Sequence, residues 1–121
     1  MKKIYISGPQ IGLPHANLPA FIEAMAAVKA AGNECAFVDR SINTDVAGAN
    51  ELASQNIHKA DAVLMLPGWE GHASCKFELD VAIAIDRNVL YFDTNLAWHK
   101  IGGKDIYGVF VKYPLDDEED A

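Results

Sequence analysis

The chain has 121 residues, 50% of them hydrophobic, and its 17 acidic residues outnumber its 10 basic residues to give a formal net charge of −7. This length fits one compact domain. Five acidic residues lie at 116–120, so the body over 1–115 has 12 acidic and 10 basic residues and a net charge of −2. A nearly neutral body lacks a basic stripe for a phosphate backbone, so duplex nucleic acid is excluded as an expected partner. We predict a single domain over 1–115 and an acidic, disordered tail over 116–121.

Targeting, redox and metal signals are scarce in the sequence. No stretch approaches the roughly 18 consecutive apolar residues of a membrane span, and the short apolar run near the start ends at Gly8-Pro9, so neither a membrane partner nor a signal peptide is expected. Cys35 and Cys75 form no CxxC pair, and the four histidines are scattered. We therefore expect neither a disulfide nor a metal site, and a cytoplasmic location.

The predicted elements begin with a strand at 3–7, which Gly8-Pro9 ends. A helix follows, with Asn17 as its cap and Pro19 in its first turn, where a missing N–H costs nothing. Gly32 suits the left-handed position after the end of this helix. The apolar residues of the helix repeat at helical spacing and are Phe21, Ala24, Met25 and Val28.

The remaining elements continue the alternation of strand and helix. We predict strands at 34–38, 61–66, 88–92 and 106–112, helices at about 44–59 and 75–86, and an irregular segment at 93–105. The continuous apolar run at 61–66 is typical of a central parallel strand. The alternation predicts a doubly wound, Rossmann-like α/β domain with a parallel five-stranded sheet in the order 2-1-3-4-5.

In such a sheet, ligands bind beyond the carboxyl ends of the strands at the point where the strand order reverses. This rule selects the loops at 7–17 and 67–74. Neither contains GxGxxG or a P-loop motif, so we expect no nucleotide cofactor. The second loop joins glycines, an aromatic residue and polar groups just before a helix N-terminus, which suits an anionic or hydroxyl-rich ligand. Ser74 is equally well interpreted as a simple N-cap.

Glu78 is the most informative residue of the sequence. At 3.6 residues per turn it shares a face with Val81, Ala82 and Ile85, so it places a carboxylate on an apolar stripe beside the crevice. Burial raises the pKa of a carboxylate and the helix N-terminus lowers it, a competition typical of a tuned nucleophile or acid/base. The alternative is a first-turn glutamate that points to water, which the spacing alone favours.

Three other residues have two interpretations each. Tyr5 belongs to a strand covered on both faces and is more often a core residue than a site residue. Cys75, at a helix start, is better interpreted as a small buried residue than as a reactive thiol. Trp69 is either a lid over a planar ligand or a partly buried loop anchor.

Several segments together resemble the nucleoside 2-deoxyribosyltransferase superfamily. They are KIYISGP at 3–9, ADAV at 60–63, LPGWE at 66–70, and Glu78 followed by Leu79 and Ala82. The resemblance covers about residues 2 to 92, and the members most similar in length and wording are short, often phage-encoded proteins of unknown function. It implies a flavodoxin-like domain, usually homo-oligomeric, that cleaves the N-glycosidic bond of a 2-deoxynucleoside or its 5-monophosphate.

The resemblance also implies roles for residues. Glu78 would attack the anomeric carbon and form a deoxyribosyl-enzyme intermediate, Tyr5 would orient Glu78 by a hydrogen bond, Gly8 and Pro9 would shape the base pocket, and the 68–74 loop would hold the sugar or a 5-phosphate. We therefore predict Glu78 and Tyr5 as catalytic residues of a transferase or hydrolase. The predicted substrate-binding residues are Ser7, Gly8, Pro9, Gly68, Trp69, His72 and Ser74.

Two departures from the superfamily pattern leave the activity open. His72 stands where members commonly carry Asp or Ser, and Ser74-Cys75 stands where close relatives tend to have Gly-Ala. A histidine there could favour a phosphate, or the site could have changed to binding without turnover. The alternative hypotheses are a nucleotide-binding module or signalling-nucleotide sponge using the same crevice, and an accessory protein that acts through an oligomer interface.

Overall fold

Strands and helices alternate in the computed structural model, which describes residues 2–92 and 98–102 and the side chains of 2–90. Short 3-10 turns at Pro14–Asn17 and Trp69–Gly71 precede two of the helices. Among these described elements, no helix is both long and apolar enough to cross a bilayer. The main elements are β1 (Lys3–Ser7), α1 (Leu18–Ala30), β2 (Glu34–Ala36), α2 (Val46–Lys59), β3 (Ala62–Met65), α3 (Ala73–Ala84), β4 (Asn88–Phe92) and β5 (Trp98–Gly102).

Four strands form a parallel sheet in the order β2-β1-β3-β4. The register places Tyr5 opposite Ala36 on one side and Val63 on the other, so β1 and β3 are central. This arrangement confirms the predicted Rossmann-like α/β class and the order of these four strands. It also puts the loops that follow β1, β2 and β3 at one edge of the sheet, where the strand order reverses.

The prediction that all five strands are parallel is wrong for the fifth strand that the structure describes. β5 lies within the segment predicted to be irregular, and it pairs antiparallel with β4. Five residues, 93–97, separate the two strands. A parallel partner needs a crossover of a dozen or more residues, whereas an antiparallel partner needs only a short connection. The strand predicted at 106–112 and the acidic tail over 116–121 lie outside the described residues.

The two faces of the sheet are covered by different helices. Alternate residues of a strand point to opposite faces, so Ile4 and Ile6 face α1, whereas Tyr5 faces α2 and α3. Each fully buried aliphatic or aromatic side chain contributes about 1.5–3 kcal/mol to folding. The buried residues of the α1 face are Ile4, Ile6, Phe21, Ala24, Val28, Ala62, Leu64, Leu66 and Leu90.

The start of α3 decides where Glu78 lies. The helix begins at Ala73, two residues before the predicted start, and its N-cap is His72. Ser74 therefore lies inside the first turn, and its interpretation as an N-cap is wrong. Glu78 consequently lies in the second turn of α3, and not in the first. The helix therefore begins about half a turn before the predicted start.

The ends of α1 agree with the sequence in one respect and differ in another. Gly32 adopts a left-handed conformation with φ +85°, which confirms the predicted role of this glycine. Asn17 occupies the N-cap position, but it is itself left-handed, with φ 60°, and its side chain makes no capping hydrogen bond. The 3-10 turn that directly precedes α1 provides the reason, because it fixes the backbone of Asn17 in a conformation that the usual extended N-cap does not have.

Candidate active site

A cluster of four polar side chains lies at the carboxyl end of β1. Tyr5 and Ser7 are two residues apart on this strand and so project from the same face, toward α3. Glu78 reaches them from the second turn of α3, and Arg40 reaches them from the turn that follows β2. All four are buried, with relative exposures of 1% for Tyr5 and Ser7, 4% for Glu78 and 7% for Arg40.

Both carboxylate oxygens of Glu78 accept hydrogen bonds. The Tyr5 hydroxyl donates to Oε2 over 2.9 Å, and the Ser7 hydroxyl donates to Oε1 over 2.6 Å. Arg40 Nη2 also donates to Oε2 over 2.9 Å and forms a salt bridge with the carboxylate. Charged groups are buried only when they are paired and hydrogen-bonded, as here. The alternative in which Glu78 points to water is therefore wrong.

Arg40 is held in place by its backbone as well as by its side chain. Its N–H donates to Gln10 Oε1 over 2.8 Å, and Gln10 Nε2 in turn donates to the carbonyl oxygen of Val38 over 2.8 Å. The turn is closed by Asp39, whose carboxylate accepts the N–H of Ser41 over 2.9 Å. Gln10 thus links the loop after β1 to the loop after β2 and fixes the backbone position of Arg40.

Arg40 lies in a loop that the sequence interpretation did not select, and Gln10 lies in the selected loop at 7–17 but was not named as a site residue. The rule on the reversal of strand order drew attention to the loops after β1 and β3 only. Yet β2 pairs in parallel with β1, so the polar segment after β2 begins at the same edge of the sheet. An arginine in that segment, opposite a glutamate on an apolar helix face, is the signal that could have found the pair.

Burial and the charge of Glu78 keep two neighbouring groups protonated. The pKa of the Tyr5 hydroxyl lies far above its usual value, first because the group is buried and second because the Glu78 carboxylate is close. Tyr5 therefore remains a hydrogen-bond donor. The same two causes raise the pKa of the Cys75 thiol to about 11. Cys75 is fully buried, as predicted, and it is uncharged at neutral pH.

The predicted binding residues of the first loop have a clear packing role. Gly8 and Pro9 are buried directly after Ser7. A Cβ at Gly8 would lie 2.7 Å from Leu66 Cδ1 and 3.0 Å from Leu66 Cβ, so only glycine lets the loop pass this close to the end of β3. Their contact with a substrate base stays a prediction.

The 68–74 loop lies next to the cluster. Gly68 is exposed and left-handed, with φ +89°, as the start of the 3-10 turn requires. Trp69 is half-buried and packs against the apolar residues between the sheet and α2 and α3, which supports its interpretation as a loop anchor. His72 and Ser74 are half-buried at the start of α3. Among the described residues, the hydrogen bonds to Glu78 come from Tyr5, Ser7 and Arg40 and from none of this loop.

A cavity of about 410 Å³ opens beside Arg40, between the loops that follow β1 and β2. Its lining combines apolar residues with polar ones. Its lining residues are Gln10, Ile11, Gly12, Leu13, Ala16, Arg40, Ser41 and Thr44. A neighbouring cavity of about 300 Å³ shares Gln10, Ala16 and Ser41 with it and is also lined by Asp39. Within the described part of the chain, no group of three or more His, Cys, Asp or Glu side chains is placed to hold a metal ion.

A parallel sheet with a buried carboxylate at the reversal of strand order defines a Rossmann-like α/β protein with a candidate small-molecule site. The fold is shared with a 2-desoxiribosyltransferase from Leishmania mexicana, at a TM-score of 0.66 and 21% sequence identity over 99% of this chain and 89% of that chain. Residues 2–91 match the family described as Domain of unknown function (DUF4406), and the chain belongs to this family. No curated protein matches the sequence significantly.

Proposed function

We propose that this protein cleaves the N-glycosidic bond of a nucleoside or nucleoside 5-monophosphate, or transfers its deoxyribosyl group, with Glu78 as the nucleophile. The observation that carries the proposal is the Glu78 carboxylate, buried at the carboxyl end of a central strand and oriented by two hydroxyl donors. The fold shared with a 2-desoxiribosyltransferase supports the same conclusion. The catalytic roles of Glu78 and Tyr5 are part of this proposal.

In the proposed reaction, a Glu78 oxygen forms a bond to the anomeric carbon while the bond from that carbon to the base nitrogen breaks. The bonding pair leaves with the base, which takes a proton from solvent. Water or a second base then attacks the same carbon, loses a proton and releases the carboxylate. A carboxylate suits both steps, because its charge stabilises an oxocarbenium-like transition state and its oxygen can capture it. Tyr5 and Ser7 would keep the carboxylate in the attacking orientation.

The remaining predicted contacts complete the proposed site. Gly8 and Pro9 would border the base, and the 68–74 loop with Trp69, His72 and Ser74 would border the sugar or a 5-phosphate. We also propose that the protein acts as a homo-oligomer. Static light scattering of the purified chain measures this directly, and a mass equal to one chain at working concentration would contradict it.

A second candidate function is binding of a nucleotide without turnover. The observation that favours it is that three donors already occupy Glu78, which is only 4% exposed. A carboxylate so fully neutralised is a weak nucleophile, because a hydrogen-bonded ion pair stabilises its charged ground state. In this case the cluster would shape the crevice and take no part in bond cleavage.

The experiment that separates the two candidates is a chromatographic screen of the purified protein against nucleosides, deoxynucleotides and nicotinamide nucleotides. We expect release of free base by the unmodified chain and a loss of at least about 1,000-fold in Glu78→Gln, because this variant keeps the shape of the side chain but removes the nucleophile. Glu23→Gln is the matched control, since Glu23 is exposed on α1 at the other face of the sheet. It should retain full activity.

Each outcome favours one candidate. Base release that persists unchanged in Glu78→Gln would rule out the proposed nucleophile. Binding of a nucleotide without any product over long incubation, with the same affinity in Glu78→Gln, would establish the binding module instead. Tyr5→Phe adds an intermediate test: loss of one orienting hydrogen bond should lower the rate about 10- to 100-fold and leave substrate binding nearly unchanged.

A further inference from the structure

Arg40 stands between the buried carboxylate and the cavity. Its Nη2 atom is 2.9 Å from Glu78 Oε2, and Arg40 is also one of the residues that line the cavity of about 410 Å³. Glu78 does not line that cavity. A molecule in the cavity therefore contacts the residue that pairs with the carboxylate, and not the carboxylate itself.

The ion pair opposes attack by Glu78 through Oε2. A reacting carbon must approach a carboxylate oxygen to about 3–3.5 Å. Oε2 accepts both Tyr5 and Arg40, and the whole side chain is 4% exposed. The guanidinium must leave before a sugar can reach Oε2, whereas the Ser7 hydroxyl on Oε1 can stay.

We propose that Arg40 is an anion-operated gate, which a phosphate-bearing nucleotide opens by taking the guanidinium away from Glu78. This inference rests on the proposed function and adds a specificity determinant to it, since it assigns the 5-phosphate to the cavity beside Arg40 and leaves the 68–74 loop for the sugar. A guanidinium carries five N–H donors in a planar fork and binds a phosphate through two of them, so a phosphate competes well with a single Glu78 oxygen. An uncharged nucleoside offers no such replacement and leaves the ion pair closed.

The cavity has the composition that this ligand requires. Its volume lies within the range of about 300–1,000 Å³ that small-molecule sites occupy. Arg40 and Thr44 provide a cation and a hydroxyl for the phosphate, whereas the Ser41 hydroxyl donates to Asp39 Oδ1. Ile11, Leu13 and Ala16 provide apolar surface for the less polar part of a nucleotide.

Asp39 helps to select the cavity in which the anion binds. Its carboxylate lines the neighbouring cavity of about 300 Å³, so a phosphate there would face a like charge. The cavity beside Arg40 has no carboxylate among its lining residues in the described part of the chain. The anion is therefore directed to the side of the turn where Arg40 lies.

The test is isothermal titration calorimetry of the full chain with each common 2-deoxynucleoside 5-monophosphate, with the matching nucleosides and with inorganic phosphate. We expect at least one monophosphate to bind about tenfold or more tightly than its nucleoside, and inorganic phosphate to compete with it. In Arg40→Gln this advantage should vanish, so that the monophosphate and its nucleoside bind with affinities within about threefold of each other. Lys29→Gln, an exposed cation on α1, is the control and should bind as the unmodified chain does.

Arg40→Lys is the second variant and replaces Arg40→Gln if that variant fails to fold. It keeps a positive charge but not the fork, so part of the monophosphate advantage should remain. Equal affinity for monophosphates and nucleosides in the unmodified chain, absence of monophosphate binding, or an advantage that survives in both Arg40 variants would overturn the gate.

Failure of the gate and failure of the proposed function give different results. Arg40-dependent monophosphate binding without base release would keep the anion site and remove the glycosidase. Base release at equal rates from nucleosides and monophosphates, lost in Glu78→Gln, would keep the glycosidase and remove the gate.

Discussion

The two faces of the sheet differ in chemistry, although the same strands form both. On the α1 face, β1 contributes Ile4 and Ile6 to a cluster whose buried members are all apolar. On the other face, the same strand contributes Tyr5 and Ser7, which bind a buried ion pair. Alternation along one short strand is therefore enough to separate an apolar packing layer from a layer that contains charged and hydroxyl side chains.

The energetic contrast between the faces shows which of them needs a functional explanation. Apolar burial stabilises the fold at about 25 cal/mol per Å². Desolvation of two charges costs several kcal/mol per ion, and well-packed apolar residues in place of a buried pair are often equally stable or more stable. The Arg40–Glu78 pair is therefore poorly explained by stability alone, and a residue set that breaks the local rule is expected at a functional site.

The largest expected effect comes from breaking the ion pair on one side. Arg40→Met leaves the Glu78 carboxylate buried with two hydroxyl donors and no cation, so the free energy of unfolding should fall by about 4 kcal/mol. Urea unfolding followed by circular dichroism measures this. The double variant Arg40→Met with Glu78→Gln removes the unpaired charge and should recover part of the loss. A single variant within about 1 kcal/mol of the unmodified chain would contradict the strong coupling.

A somewhat smaller effect is expected on the apolar face. Leu64 is fully buried in β3 and packs in the α1 cluster, so Leu64→Ala should lower the free energy of unfolding by about 3 kcal/mol. Nucleotide binding by the folded fraction should be unchanged, because the cavity is lined by loop residues and not by Leu64. A change in binding affinity by more than about threefold would show that the two faces are energetically coupled, in contradiction to the separation drawn above.

The smallest effect concerns the Cys75 thiol beside the site. Its pKa is raised from 9.0 to about 11 in the folded chain, so the stability linked to it is fully present below pH 9 and is lost as the pH rises through about 11. Cys75→Ala removes this group and should flatten the fall in unfolding free energy over that window by up to one proton per molecule. Cys35→Ala is the control, because Cys35 is only partly buried and should flatten the curve less. Equal slopes in all three chains would contradict the raised pKa.

The parts of the fold that the sequence predicted well are those where apolar pattern and glycine placement agree. The continuous apolar run of β3 and the left-handed Gly32 both follow from local chemistry, and the order of four strands follows from the alternation of elements. Glu78 is predicted as a site residue for a related reason, because a carboxylate on an apolar helix face conflicts with its neighbours.

What the sequence could not provide depends on contacts between distant segments. Arg40 and Glu78 are 38 positions apart, and nothing in the local pattern of either residue identifies the other. The antiparallel pairing of β5 could not be predicted for a different reason. It depends on the edge of the neighbouring strand β4 and not on the periodicity of β5 itself. The half-turn shift of α3 likewise arose from a cap with no capping side chain.

The amide of Gln10 limits which part of Arg40 can move. It binds the backbone N–H of Arg40 and the carbonyl of Val38, so the main chain of both loops stays fixed while the guanidinium moves. Any opening at Arg40 is then a rotation of a buried side chain about its own torsions, with no closure of a loop or domain. The backbone of the crevice would thus keep one shape in the closed and the open state, and ligands would be selected by the position of a single guanidinium.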